Sequence, residues 1–201
     1  MDRKLMEQFM LKVTIPEAKV RSQECESGQE NKRLWDAVWR AHRDVLTGRF
    51  YLPNYCGQGE GNANLVVKTL YELIKGANTT ELLSSKQLIN QVKCKFTDKR
   101  TGELCIEFGA IQKLVNMTLK YIVLLNEFEE KFHIGVNEKA CDCPVDSVIL
   151  AKLKSQNKIP HTSWTVMKET EYNNVQKEIK EVLKEDGLPE CGQLYYDFLN
   201  W

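Results

Sequence analysis

Residues 108–125 read FGAIQKLVNMTLKYIVLL and form the most strongly apolar helical stretch of the chain. One helical face carries residues at intervals of three and four that are apolar apart from Thr118: Ile111, Leu114, Val115, Thr118, Leu119 and Ile122. Lys113, Asn116 and Lys120 recur on a second face. The stretch therefore predicts a central helix that packs through its apolar face and carries two aligned lysines on a polar one.

The composition is typical of an ordinary globular protein. The 201 residues are 42% hydrophobic and 28% charged, and 28 basic side chains balance 28 acidic ones. Zero formal net charge argues against a general polyanion binder, although a local basic face can still supply phosphate contacts. We expect a single helical domain over residues 31–201, preceded by a partly flexible segment, residues 1–30.

The chain has no run of about 18 apolar residues, and its start lacks the apolar core of a signal peptide. We therefore expect a cytoplasmic protein without a membrane partner. Seven cysteines without a repeated spacing predict free thiols. Cys141 and Cys143 stand too close for a two-residue zinc hook, and no second hook completes four ligands, so we expect neither a metal site nor a cofactor.

Further amphipathic repeats predict helices around the central one. They begin near Asn31, Asn64, Leu82, Pro144 and Glu171, and a short aromatic helix follows Gln193. Residues 93–108 alternate like a small β-hairpin around a Thr-Gly turn, or else form a frayed helix and a loop. Residues 50–62 contain three glycines and predict a loop. The fold class is mainly α, a compact helical domain with at most a small β-hairpin.

Trp35 and Trp39 lie one turn apart on the first of these helices. They form either part of the core or a platform on which bases stack, and packing is the commoner use of such a stripe. From Lys86 to Lys120, seven basic residues stand against three acidic ones. A solvated face is the usual explanation, but this region is also the best suited to a phosphate backbone.

Lys113 and Asp146 are the two side chains with suggestive chemistry. Periodicity alone places Lys113 on a solvated polar face. A functional role requires Lys113 to be desolvated near the start of its helix, because burial and the helix dipole lower the pKa of an amine and make it a usable nucleophile. Asp146 would supply a carboxylate near the start of the following helix.

The motif FGAIQK at residues 108–113, followed by Lys120 and by CPVDS at residues 143–147, resembles the helix-hairpin-helix DNA glycosylases, especially the archaeal 8-oxoguanine type. The resemblance implies a helix-hairpin-helix-like fold in which Lys113 attacks the sugar C1′ and forms a Schiff base. Asp146 would assist loss of the base from a nucleotide flipped out of double-stranded DNA. The Leu-Pro-Gly-Val-Gly hairpin of the family is absent, and Phe108-Gly109 stands in its place.

Around this pair we expect Gln112, Asn116 and Lys120 to contact DNA, and Trp164 either to stack on a base or to anchor its loop. The pattern QKxxNxxxKY at residues 112–121, together with Cys-Pro-x-Asp-Ser, is also similar to uncharacterised bacterial and phage proteins. The alternative function is therefore a non-catalytic helical interaction protein that binds a protein partner.

Overall fold

The computed structural model of the chain describes Lys4, Met6 and Glu7 and residues 29–46, 62–77, 82–160, 163–189 and 192–200. The predicted glycine-rich loop within residues 50–62 lies outside the described residues apart from its last position, as does nearly all of the segment 1–30.

Seven α-helices make up most of the described residues, which confirms the prediction of a compact, mainly α domain. They are α1 (Gln29–Leu46), α2 (Asn62–Lys75), α3 (Ser85–Lys95), α4 (Phe108–Phe128), α5 (Ser147–Ser155), α6 (Glu169–Glu185) and α7 (Leu194–Leu199). Two single turns of 3-10 helix, Glu138–Ala140 and Trp164–Val166, lie in the connections.

Helix α4 is the axis of the fold. Every residue from Phe108 to Leu125 is buried, because α1, α3, α6 and the Trp164–Val166 turn pack around it. The predicted apolar face is present, but the predicted polar face is also internal. Polar side chains in such a position need partners inside the protein.

Aromatic side chains fill the space between α1 and α2. Trp35 is buried and meets Tyr71 of α2 edge-on, with 5.2 Å between the ring centroids. Trp39 is half-buried, and its ring centroid lies 6.4 Å from that of Trp35. The packing interpretation of the two tryptophans is therefore confirmed for Trp35, which has no exposed face on which a base could stack.

Residues 93–108 contain part of each predicted form, the β-hairpin and the helix followed by a loop. Residues 93–95 complete α3, and Thr97 then pairs with Leu104 in a single antiparallel bridge. The turn between them contains Gly102, whose φ of 71° suits glycine. The hairpin is reduced to one bridge because the last turn of α3 takes up residues that would have extended its first strand. Residues 96–107 thus separate α3 from α4, in place of a short glycine hairpin.

Candidate active site

Lys113 lies in the second turn of α4, beneath the Trp164–Val166 turn. Gly109 permits this close approach, since a Cβ at position 109 would lie 1.8 Å from the Trp164 carbonyl oxygen. The Trp164 ring covers the Lys113 amine, with 4.5 Å between Nζ and the ring centroid. Trp164 is buried, so it anchors its loop and contacts the cation. Of the two expectations for Trp164, its burial favours the anchored loop over stacking on a base.

Residues 141–146 form an irregular segment that crosses the interior beside α4 and α6. Gln112 of α4 donates to the Val145 carbonyl at 2.8 Å and accepts from the Val145 N–H at 3.2 Å. Gln176 of α6 donates to the Cys143 carbonyl at 2.7 Å and accepts from the Cys143 N–H at 3.0 Å. Buried backbone groups need hydrogen bonds, and here two side-chain amides replace a neighbouring strand.

Asp146 ends this segment and caps α5. Its Oδ1 accepts from the backbone N–H groups of the second and third residues of α5, at 2.9 and 3.1 Å. Its Oδ2 faces Lys113, 3.9 Å from Nζ. Because the cap determines the first helical residue, α5 begins at Ser147, later than the predicted start near Pro144.

Burial lowers the pKa of the Lys113 amine, and the negative charge of Asp146 offsets part of that shift. The Lys113 side chain is 9% exposed and that of Asp146 is 17% exposed, so each keeps a small accessible surface. Among the described residues, the contacts of the amine are the carboxylate and the Trp164 ring. A partly desolvated amine beside a carboxylate is the arrangement that amine-based nucleophilic chemistry requires.

A second lysine–carboxylate pair lies deeper in the protein. Lys120 is fully buried, and its amine binds the Asp197 carboxylate of α7. The Phe198 ring lies over the same amine, with 5.2 Å between Nζ and the ring centroid. Burial raises the pKa of Asp197, and the charge of Lys120 opposes this shift. Asp197 and Lys120 act in opposite directions on the pKa of Lys113, so the two pairs belong to one internal cluster of charges.

Three residues predicted to contact DNA lie inside the protein. Gln112, Asn116 and Lys120 have none of their surface exposed. A DNA strand cannot touch them in this fold, which corrects the expectation of direct contact. The periodicity of one helix shows which residues share a face, but it does not show whether that face meets water or another helix.

Asn116 belongs to a buried chain of hydrogen bonds. Its Nδ2 donates to the Tyr172 hydroxyl at 2.8 Å, and this hydroxyl donates to Asp142 Oδ2 at 2.7 Å. Burial raises the pKa of Asp142 and raises that of Tyr172 well above its usual value. The chain connects α4 to α6 and to the segment that ends at Asp146.

The sequence analysis assigned no polar role to four residues of this interior: Asp142, Tyr172, Gln176 and Asp197. One signal existed for two of them, because Tyr172 and Gln176 lie four residues apart on the apolar stripe of α6 and so point inward together. Asp197 had no comparable signal, since its partner Lys120 is 77 positions away.

The basic excess between Lys86 and Lys120 is smaller at the surface than in the sequence. Lys113 and Lys120 are buried, and Lys93 pairs with Glu169 of α6. The exposed charged residues of the region are Lys86, Lys95, Asp98, Lys99, Arg100, Glu103 and Glu107. These charges are mixed in sign, so the region offers little net attraction to a phosphate backbone.

No three His, Cys, Asp or Glu side chains among the described residues converge in the way that metal ligands would. The cysteines at positions 94, 105, 141 and 143 are free thiols. Helix α4 is long and apolar enough to cross a membrane, but the whole of its apolar window is buried inside the protein, and core helices pass the same test.

No family model, curated protein or solved structure matches the chain.

Proposed function

We propose that the protein processes DNA as a base-excision glycosylase and lyase, with Lys113 as the nucleophile and Asp146 as its carboxylate partner. The observation that carries the proposal is the 3.9 Å separation of Lys113 Nζ and Asp146 Oδ2, in a site where burial lowers the pKa of the amine. An amine attacks carbon in its neutral form, and a lowered pKa increases the fraction in that form. The resemblance of residues 108–113 and 143–147 suggests the substrate class, double-stranded DNA with a damaged base.

The proposed reaction begins with attack of the Lys113 Nζ lone pair on the sugar C1′. The bond between C1′ and the base breaks, and the base leaves with the bonding electrons and takes up a proton. Asp146 stabilises the positive charge that develops on the sugar and accepts the proton released by the amine. The bond between C1′ and O4′ of the sugar then breaks, O4′ keeps the bonding electrons and takes up the remaining proton of Nζ, and an imine forms between Nζ and C1′. An abasic sugar forms the same imine from its C1′ aldehyde with loss of water.

The target nucleotide has to leave the duplex to reach an amine with so little exposed surface. Val148 of α5 and Val166 of the Trp164–Val166 turn are exposed, and they lie on the elements that carry Asp146 and Trp164. We assign the contact with DNA to these two exposed valines and the surface around them, since Gln112, Asn116 and Lys120 of α4 are fully buried.

Borohydride trapping tests the nucleophile. The probes are oligonucleotides that carry 8-oxoguanine, uracil or an abasic site, because reduction of the imine leaves a stable covalent adduct. We expect an adduct with the wild-type protein and none with Lys113→Gln. Lys168→Gln is the matched control, since it removes an exposed lysine next to α6 and should leave the adduct unchanged. An adduct that persists in Lys113→Gln would exclude Lys113 as the nucleophile.

Asp146→Asn tests the carboxylate. Asparagine caps a helix about as well as aspartate, so α5 should remain folded while the charge is lost. We expect adduct formation to slow by about 100-fold. Its rate should rise with pH through the pKa of Lys113, with a midpoint below that of an ordinary lysine. The midpoint should move lower still in Asp146→Asn, because the carboxylate raises the pKa of the amine. An unchanged rate and midpoint would remove Asp146 from the mechanism.

A second candidate is a non-catalytic helical interaction protein with a protein partner. The observation that favours it is the structural use of the same groups: Asp146 caps α5, and Lys113 pairs with it under the Trp164 ring. A folded wild-type protein that forms no adduct with any of the three oligonucleotides would select this candidate.

A further inference from the structure

We infer that Gln112 is the positioning residue of the Lys113 site, whose amide holds Asp146 at a set distance from the amine. The catalytic meaning of this role rests on the proposed function. Gln112 immediately precedes Lys113 on α4, and its amide binds Val145, which immediately precedes Asp146. Lys113 and Asp146 are therefore linked through the hydrogen bonds between the residues that precede them, Gln112 and Val145.

The paired hydrogen bonds explain why this contact can control geometry. An amide that donates to the carbonyl and accepts from the N–H of one residue reproduces the pairing found between β-strands. Two bonds fix both the position and the rotation of the Val145 backbone, whereas one would leave the rotation free. Gln112 is fully buried, so water does not readily replace either bond.

Among the described elements, α5 is not one of the helices that pack extensively against α4. The Asp146 Oδ1 atom is committed to the N-terminus of α5, so the carboxylate moves with that helix. The Gln112 amide therefore links the position of α4 to that of the Asp146 Oδ2 atom through the backbone of Val145.

Gln176 offers a matched comparison. It makes the same pair of hydrogen bonds to Cys143, two residues earlier in the same segment. It is also buried, but it projects from α6 and does not adjoin either reactive group. Loss of either amide should destabilise the segment, and only loss of the Gln112 amide should disturb the distance between Lys113 and Asp146.

The first test compares Gln112→Met with Gln176→Met, because methionine has a similar length and no amide. With saturating abasic oligonucleotide, we expect Gln112→Met to slow adduct formation about tenfold or more, since a small misplacement of a catalytic group costs this much or more. Its affinity for the oligonucleotide should stay unchanged. Gln176→Met should slow adduct formation much less, although its loss of stability in urea unfolding should be comparable. Equal slowing in both variants would overturn the inference.

The second test does not depend on adduct formation, so it separates this inference from the proposed function. The Nζ resonance of Lys113 in protein labelled with ¹⁵N-lysine, assigned with Lys113→Gln, reports on the nearby carboxylate. We expect Asp146→Asn and Gln112→Met to shift it in the same direction and Gln176→Met to leave it in place.

The two tests fail in different ways. A wild-type protein that forms no adduct but shows this pattern of shifts disproves the proposed function and supports the positioning role of Gln112. A Lys113 resonance that stays unmoved in Gln112→Met, or moves as far in Gln176→Met, overturns the positioning role whether or not an adduct forms.

Discussion

At the scale of single residues, two buried bases differ in what surrounds them. Lys113 has the Asp146 carboxylate and the Trp164 ring beside its amine, and burial still lowers its pKa. His42 of α1 is 1% exposed, and neither ring nitrogen has a hydrogen-bond partner among the described residues. Burial lowers the pKa of His42 to about 4. A charged imidazole would lose its hydration there without compensation, so His42 is neutral in the folded protein at neutral pH.

We predict that His42 makes the protein less stable as pH falls from 6.5 towards 4. The unfolded state takes up a proton near the ordinary pKa of 6.5, whereas the folded state resists until about 4. The unfolded state binds more protons in this window and is therefore favoured, by up to about 3 kcal/mol. Urea unfolding near pH 7 and at about pH 4.5 measures the effect.

His42→Leu should lose this component of the pH dependence, and the stability difference between the variant and the wild type should change with pH accordingly. His133→Gln is the control, because it removes an exposed histidine and should keep the wild-type dependence. A pH dependence that is the same in the wild type and in His42→Leu would contradict the prediction.

At the scale of elements, the Trp164–Val166 turn depends on one glycine of α4. Two physical effects oppose each other at position 109. Alanine favours a helix over glycine by about 1 kcal/mol, but its Cβ would lie 1.8 Å from the backbone oxygen of Trp164. A backbone atom cannot rotate away as the end of a side chain can, so the clash should outweigh the gain in helix propensity.

We predict that Gly109→Ala lowers the free energy of unfolding by about 2 kcal/mol or more and displaces Trp164 from the Lys113 amine. Chemical denaturation and the Lys113 Nζ resonance measure the two effects. Gly135→Ala is the comparison, because a Cβ there meets only the end of the Leu82 side chain, at 3.2 Å. Stabilisation by Gly109→Ala would show that the turn does not pack on α4 as described.

At the scale of the whole molecule, the Lys120–Asp197 pair joins the last helix to the central one. Both side chains are buried, and neither exposes more than 2% of its surface. Removing one partner of a buried ion pair leaves an uncompensated charge, whereas replacing both with apolar residues is often neutral. Docking of α7 on α4 therefore needs both charges or neither. The ion pair is not by itself evidence that the protein is highly stable.

We predict that Lys120→Met destabilises the protein by about 3–5 kcal/mol, and that Lys120→Met combined with Asp197→Leu recovers most of this loss. Equilibrium denaturation of the wild type, both single variants and the double variant gives the coupling. Lys184→Met, which breaks an exposed pair with Glu181, should change the stability by less than about 1 kcal/mol. A double variant that is as unstable as Lys120→Met would show that the methionine itself cannot be packed.

The local sequence pattern was enough to predict most of the helices. Spacings of three and four residues predicted α4 and α1, and α3 begins close to its predicted start, where the Ser84 Oγ accepts from the Gln87 N–H at 3.4 Å. These features depend on neighbours within one or two turns, which the sequence displays directly. The start of α5 was misplaced because its cap belongs to a segment that is held by side chains from elsewhere in the chain.

The candidate site depends on burial and on contacts that the local sequence pattern does not predict. The sequence by itself determined that α4 is apolar, that Lys113, Asn116 and Lys120 share one of its faces, and that Lys113 and Asp146 are the two side chains with suggestive chemistry. Only the tertiary structure decided that this face is internal, that Lys113 meets Asp146 under Trp164, and that Lys120 is taken by Asp197. The physical reason is that burial, and the pKa shift that follows from it, depend on helices packed from distant parts of the chain. The spacing of residues along one helix is the same whether its polar face meets water or a carboxylate.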